Sequence, residues 1–389
     1  MKRITVVGGG FAGLVAAISC AEAGTQVRLL EAHHTLGGRA RATAPPYVAH
    51  DGPHVLYRDG AWWRWLAERD LLGPHSGVPL LGLAGFRFRH GDRLRRTPPP
   101  ALSRVLAHRR RRAPVDIDFH TWIRGHHGEQ AASVASNLMG VATFYAEPGR
   151  LSAAFVWERL LRVFAPRPPA RYLTGGWNGL IDRLAAHARA LGVSIETDAR
   201  VTDLPAPPVI VATSLDAAGR LLGTTPPSVE SGRTLLLDLA VRADRRDVFV
   251  VSDLDAAGWL ERYSLPDPSL APPGESLIQA QLPLRGTEGK ADALVRLEEL
   301  VDQALPGWRE RTTWRRHSVA NRRTGALDLP GQTWRDRPAV DRGDGVFLAG
   351  DMVAAPGLLS EVSFHSAIAA ARGALGEPAR KPTAPPAIH

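Results

Sequence analysis

The apolar positions change period along the chain, and the changes predict its elements. Residues 4–7 form a short buried-strand pattern, residues 14–23 carry the apolar spacing of a helix closed by Gly24, and residues 27–30 repeat the strand pattern. Residues 47–57 are extended in pattern, with Gly52-Pro53 near their centre. Residues 61–72 ("AWWRWLAERDLL") read as an amphipathic helix whose tryptophans pack into a core. Residues 85–96 alternate around His90-Gly91-Asp92 like a hairpin. From 119 to 164 the period is helical, and of Phe155, Trp157, Leu160, Leu161 and Phe164 most are expected in the core. A turn at Gly175-Gly176 opens a helix, residues 193–197 are a strand, and 207–223 give the next strand and helix. Residues 234–241, 248–252 and 277–282 read as strands, and "ADALVRLEELVDQALPGW" is a helix with an end signal at Pro306-Gly307. Residues 345–351 and 358–371 give a last strand and helix. The proline-rich tail from 377 is expected to be disordered.

Chemistry enters at the first strand–turn–helix. Gly8, Gly10 and Gly13 spell GxGxxG, with Phe11 and Ala12 between the last two, and Glu31 ends the second strand ahead of Ala32. Gly8 permits the tight turn, Gly10 lets backbone N–H groups reach a pyrophosphate, and Gly13 lets the helix lie close against the strand. The phosphates then sit at the positive helix N-terminus. A carboxylate at 31 accepts hydrogen bonds from ribose hydroxyls and repels a 2′-phosphate, which disfavours NADP. Gly37, Gly38 and Arg39 follow as a second glycine turn carrying a guanidinium for the pyrophosphate, and this favours FAD over NAD.

Two distant pieces, "GVFLAGD" ending in Gly350-Asp351 and "LLSEVSFHSAIAAA" from Leu358, complete a pattern that resembles the FAD-dependent amine oxidase, phytoene desaturase and protoporphyrinogen oxidase superfamily over nearly the whole chain. The resemblance implies an α/β fold in which a Rossmann-like FAD-binding domain is assembled from residues 1–84, 170–232 and 338–376. Residues 85–169 and 233–337 then form an α+β substrate domain with a mixed or antiparallel sheet and a helical roof. Residues matching the family's pattern are Asp51, Gly52, Pro53 and His54, whose backbone runs past the flavin ring in relatives, and Val201, beside the adenine. The helix start at Leu359 and Ser360 is matched to the flavin edge, where its N–H groups would stabilise reduced, anionic flavin. Glu361 matches a family glutamate, whereas Val362 and Ser363 replace the Gly-Ala that follows it. His54, Glu361 and His365 are the titratable candidates near the ring; His54 reads equally as a turn histidine bonded to backbone.

The resemblance implies noncovalent FAD, since the only cysteine, Cys20, lies in the first helix. It also implies a desaturase- or dehydrogenase-type enzyme that removes a hydride from a lipophilic or polycyclic small molecule. Two alternatives stand beside it: an amine or amino-acid oxidase with an atypical site, and a flavin-dependent isomerase without net redox change. Amine oxidases of the superfamily commonly hold a water near the flavin with a lysine on a substrate-domain strand, and Lys2, Lys290 and Lys381 all fall outside suitable strands. Residues 263–276 resemble a loop of carotenoid desaturase relatives.

Composition fits this reading. The 389 residues are enough for two domains, and 44% apolar residues can fill them. The formal charge is +9, and 48 basic residues less three lysines leave 45 arginines, yet no recognition module accompanies them, so no nucleic-acid partner is expected. Arg109 to Arg112 read as solvated surface, or as a site of peripheral membrane contact. Neither a secretory signal nor a bilayer-spanning stretch is read, which makes cytoplasm the default. No metal site is expected, because adjacent His126 and His127 diverge on a helix.

Overall fold

The computed structural model describes residues 2–377 apart from 80, 81, 83, 92, 226 and 227. The expectation of a disordered tail falls almost wholly on 378–389, outside the described residues. Five parallel strands form the first sheet, in the order Val346–Leu348, Val209–Val211, Arg3–Val7, Gln26–Leu30 and Ser194–Glu196. Its central strands are apolar on both faces, as expected where helices cover both sides of a parallel sheet. Ile4, Val6, Leu29 and Ile210 are fully buried. The helix Phe11–Glu22 packs against the last helix, Ser360–Leu375, across a seam of small residues: Ala16 and Ala17 on one, Ala367, Ala370 and Ala371 on the other. Alanine lets two backbones approach while preserving helix propensity.

A second, seven-stranded sheet runs Thr312–Asn321, Arg233–Arg242, Glu275–Pro283, Trp259–Glu261, Val250–Asp253, Phe86–His90, Arg93–Arg95. It is mixed, because Val250–Asp253 pairs in parallel with Phe86–His90 while its other neighbours are antiparallel. Leu235, Leu237, Leu239 and Val241 present one apolar face to Leu297, Leu300 and Val301 of the helix Lys290–Ala304. A small third sheet pairs Ala170–Leu173 with Leu56–Tyr57 on one side and His75–Ser76 on the other. Helices Pro100–Ala107, Phe119–His127, Glu129–Leu138, Gly140–Thr143 and Ala153–Val163 share a separate core around Leu102, Phe119, Ile123, Leu138 and Val156.

Several boundaries differ from the sequence reading. The first helix begins at Phe11, three residues earlier, because Gly10 at φ −82° serves as its N-cap and the glycines belong to its first turn. The helix at 61 ends at Ala67, and Asp70 adopts φ +54° in the turn that follows. Three strands carried no period-2 signal that stood out: Trp259–Glu261 and Ala170–Leu173 are short, and Thr312–Asn321 is an arginine-laden edge strand. Among the described residues no helix is long and apolar enough to cross a membrane.

Candidate active site

A cavity of about 1220 Å³ runs from the first glycine turn to the seven-stranded sheet. Fifteen of the residues singled out for the cofactor line it: Gly8, Gly10, Phe11, Ala12, Glu31, Ala32, Gly38, Arg39, Gly52, Pro53, Val201, Gly350, Asp351, Leu359 and Ser360. Gly13 does not, and the reason is geometric. A Cβ on Gly13 would stand 1.8 Å from the Gly8 carbonyl oxygen, so its missing side chain serves the packing of helix on strand. Gly8, at φ +107°, would place a Cβ 2.5 Å from the Ala212 oxygen.

Gly10, Gly38 and Gly350 behave differently. The nearest atom to a Cβ on each is 3.8, 3.7 and 3.9 Å away, so the fold itself does not require a glycine's small size there. All three border the cavity, and the space kept open is what a ligand's phosphates need to meet backbone N–H groups. The first N–H groups of the helix Phe11–Glu22 have no intrahelical acceptor, and no side chain caps them. They form an anion cradle at a helix start. At its rim Glu31 is buried, its Oε2 accepting from Gly9 N at 2.7 Å and its Oε1 from His33 N at 3.0 Å. Gly9, which the sequence reading passed over, is needed because a Cβ there would meet Leu36 at 2.4 Å and the Glu31 carboxylate at 3.1 Å. Opposite, the Arg39 guanidinium is hydrogen-bonded to the Asp351 carboxylate. This bond joins the second glycine turn to the Gly-Asp motif more than three hundred residues away.

The start of the last helix is strained and clamped. Leu359 adopts φ +52°, a region costly for a branched side chain, and no side chain caps the helix it begins. Glu361 fixes this turn: its Oε2 accepts from Leu358 N at 3.1 Å, and Arg162 donates to both its oxygens at 2.7 and 2.8 Å. Arg162 also bonds Asp59 at 2.6 Å and lies 4.4 Å over the Tyr57 ring. A Cβ on Gly60 would strike the Glu361 carboxylate at 2.2 Å, which is why the chain carries glycine there. The buried pair thus ties the helix Ala153–Val163 to the turn presenting the Leu359 and Ser360 backbone.

None of the three catalytic candidates lines the cavity, which corrects the sequence reading of their place. The Glu361 carboxylate is committed to Arg162. His54 is buried with its ring 4.3 Å from that of His50 and 4.1 Å from that of Tyr263, and burial, with His50 beside it, holds its pKa well below the usual value. His365 faces Phe364, and burial lowers its pKa while Glu361 opposes the shift. Gly52 and Pro53, by contrast, do line the cavity, beneath Phe144, whose ring would be 2.8 Å from a Cβ on Gly52.

Away from the glycines the cavity becomes an apolar arm. Val78, Phe86, Phe88, Phe249 and Val250 line it from the sheet side, and Val141, Phe144, Val163 and Phe164 from the helical section. Two polar groups stand out. Burial pushes the Tyr57 phenol up to about 12. Glu261, also missed in the sequence, lies on the three-residue strand Trp259–Glu261, too short to show a period. No lysine lines the cavity among the described residues: Lys2 precedes the first strand, Lys290 begins a helix, and Lys381 lies outside the described residues. Cys20 is buried in the first helix, its thiol pushed up to about 12 by burial.

Comparison with known proteins agrees with this geometry. The family model described as NAD(P)-binding Rossmann-like domain matches residues 6–69, and that described as flavin containing amine oxidoreductase matches residues 48–229. Among solved structures, an oxidoreductase from Methanosarcina mazei superposes with TM-score 0.76 at 16% identity, over 94% of this chain and 99% of that one. A protein from Pyrococcus furiosus gives TM-score 0.76 at 18% identity over 98% and 99%. Cyclohexylamine oxidase from Brevibacterium oxydans gives 0.72 at 14% over 96% and 98%. Comparison with curated proteins finds no match. The glycine cradle, the Gly-Asp motif and the helix start gather on one cavity, residues 48–229 resemble the flavin containing amine oxidoreductases, and nearly the whole chain shares its fold with these solved structures.

Proposed function

We propose that the chain holds FAD noncovalently and uses it to remove a hydride from an apolar small molecule, as a desaturase or dehydrogenase does. The observation that carries this reading is the continuity of one cavity from an anion cradle to an apolar arm. Residues 1–84, 170–232 and 338–376 would hold the cofactor, and residues 85–169 and 233–337 the substrate. When bound, FAD supplies the hydride acceptor. Glu31 would accept from the adenosine ribose hydroxyls, Gly10 and the helix start would receive the pyrophosphate, and Val201 would meet the adenine. Asp351 would accept from the ribityl chain and Arg39 would serve the phosphates. Leu359 and Ser360 would offer N–H groups to the ring, with Gly52 and Pro53 beside it.

The apolar arm excludes water from the transferring hydrogen and orients the substrate by shape. Amine oxidation through a lysine-held water has no residue to hold the water, since no described lysine lines the cavity. The test is anaerobic: apolar and polycyclic compounds are screened for bleaching of the bound flavin, and any that bleach it are then turned over in air. Bleaching with little peroxide supports a dehydrogenase. Stoichiometric peroxide from a simple amine would replace this reading with the oxidase.

A further inference from the structure

Nine acidic side chains are buried among the described residues, and their partners divide them. Six pair with arginine: Asp238 with Arg316, Asp247 with Arg311, Asp253 with Arg89, Asp328 with Arg337, Asp351 with Arg39 and Glu361 with Arg162. Two more, Glu31 and Asp267, accept backbone N–H groups. Glu261 alone does neither. Its Oε1 accepts from the Tyr172 hydroxyl at 2.6 Å and its Oε2 from the Trp259 indole at 3.0 Å, both neutral donors. All three residues line the apolar arm.

In a chain with 45 arginines, a buried carboxylate lacking a guanidinium is a departure that needs a reason. A carboxylate has about four acceptor sites, and the donors that face it here, Tyr172, Trp259 and the Tyr263 hydroxyl, are all neutral. They fix the carboxylate's direction without neutralising it, and desolvation leaves the negative charge costly until a cation arrives. Burial pushes the carboxyl up, and its hydrogen bonds to Tyr172, Trp259 and Tyr263 pull the other way, towards the charged form. The surrounding walls, Phe86, Phe249 and Val250, offer a ligand's apolar body contact but no second charge.

We infer that Glu261 is the recognition anchor of the arm, accepting a charge-assisted hydrogen bond from a protonated nitrogen carried on an otherwise apolar ligand. Tyr172 and Trp259 are positioning residues that hold the carboxylate for it. This deepens the proposed function, on which it rests for the identity of the arm as the substrate's place. It assigns the nitrogen a role in recognition and leaves open which bond is oxidised.

Three probes share one apolar body and differ in head-group charge: benzylamine, benzyl alcohol and benzoate. Their binding to the full chain is measured by calorimetry, with and without FAD. Benzylamine should bind at least about 10-fold more tightly than benzyl alcohol, as a hydrogen bond to a charged group predicts, and benzoate should bind most weakly. Glu261→Gln, checked for folding by circular dichroism, should bring benzylamine and benzyl alcohol to within about twofold of one another. Equal binding of the three probes by the natural chain overturns the anchor without recourse to a variant, as does a folded Glu261→Gln protein that keeps the preference. A chain that takes up no FAD yet prefers benzylamine overturns the flavin reading and leaves the anchor standing. A flavin-loaded chain with no preference does the reverse.

Discussion

Replacing Gly10 with alanine adds one methyl group beside the cavity and nothing that the fold resists. The backbone there has φ −82°, open to any residue, and the nearest atom to the new Cβ is the Gly37 oxygen at 3.8 Å, an ordinary contact. Gly10 is an N-cap without a capping side chain, so the stability change should stay within about 1 kcal/mol. The same methyl occupies the space between the two glycine turns, where the pyrophosphate must approach backbone N–H groups. Losing one charge-assisted hydrogen bond of about 1.5–3 kcal/mol raises the dissociation constant for FAD about 10- to 100-fold. Gly13→Ala is the contrast, because its Cβ would lie 1.8 Å from the Gly8 oxygen and would push the helix off the strand. It should cost about 3 kcal/mol or more of stability. Urea denaturation of each apoprotein reads the stability, and titration with FAD by fluorescence quenching reads the affinity. Wild-type FAD affinity in Gly10→Ala, or a stability loss equal to that of Gly13→Ala, would refute the assignment of the open space to the cofactor.

Three further outcomes are expected. Glu31→Ala should weaken FAD binding by about 1.5–3 kcal/mol, with the fold retained, and unchanged affinity in an equilibrium titration would mean the ribose is held elsewhere. Glu361→Gln breaks a buried bidentate pair and leaves Arg162 with only Asp59, so stability should fall by about 3–5 kcal/mol; a loss below about 1 kcal/mol in urea denaturation would show the pair is not what fixes the turn. His50 is buried with its pKa lowered to about 4, chiefly by burial, so the folded chain binds fewer protons than the unfolded chain between that value and the ordinary one near 6.5. Its contribution to stability is therefore present above about pH 6.5 and is lost as pH falls, about 2 kcal/mol between pH 7 and 5, and a His50→Gln chain should lack this part of the decline.

Local structure was legible where one stretch carries the close packing. Gly8 and Gly13 could be read because a tight turn and a close helix each demand one residue type at one spacing. The parallel strands were legible for a similar reason, since strands buried on both faces appear as unbroken apolar runs. Side-chain pairing across the fold was not. Arg162 and Glu361 lie 199 positions apart, and neither sequence neighbourhood signals the other. His54 looked available because its segment follows the cavity, but the direction of its ring is set by His50 and Tyr263 from other elements. Glu261 sits on a strand of three residues, too short for alternation to show which face it takes. The arm it anchors is built from segments dispersed across the chain, and its chemistry emerges only when they meet.

The most direct test of the central claim is the cofactor content of the purified chain. The protein is reconstituted with FAD and freed of excess, its visible spectrum is recorded, and it is then precipitated with acid. The cavity geometry predicts a yellow protein carrying one FAD per chain, with all the flavin released to the supernatant and none left on the polypeptide. A folded protein that stays colourless with added FAD, or a flavin that remains with the precipitated chain, would contradict it.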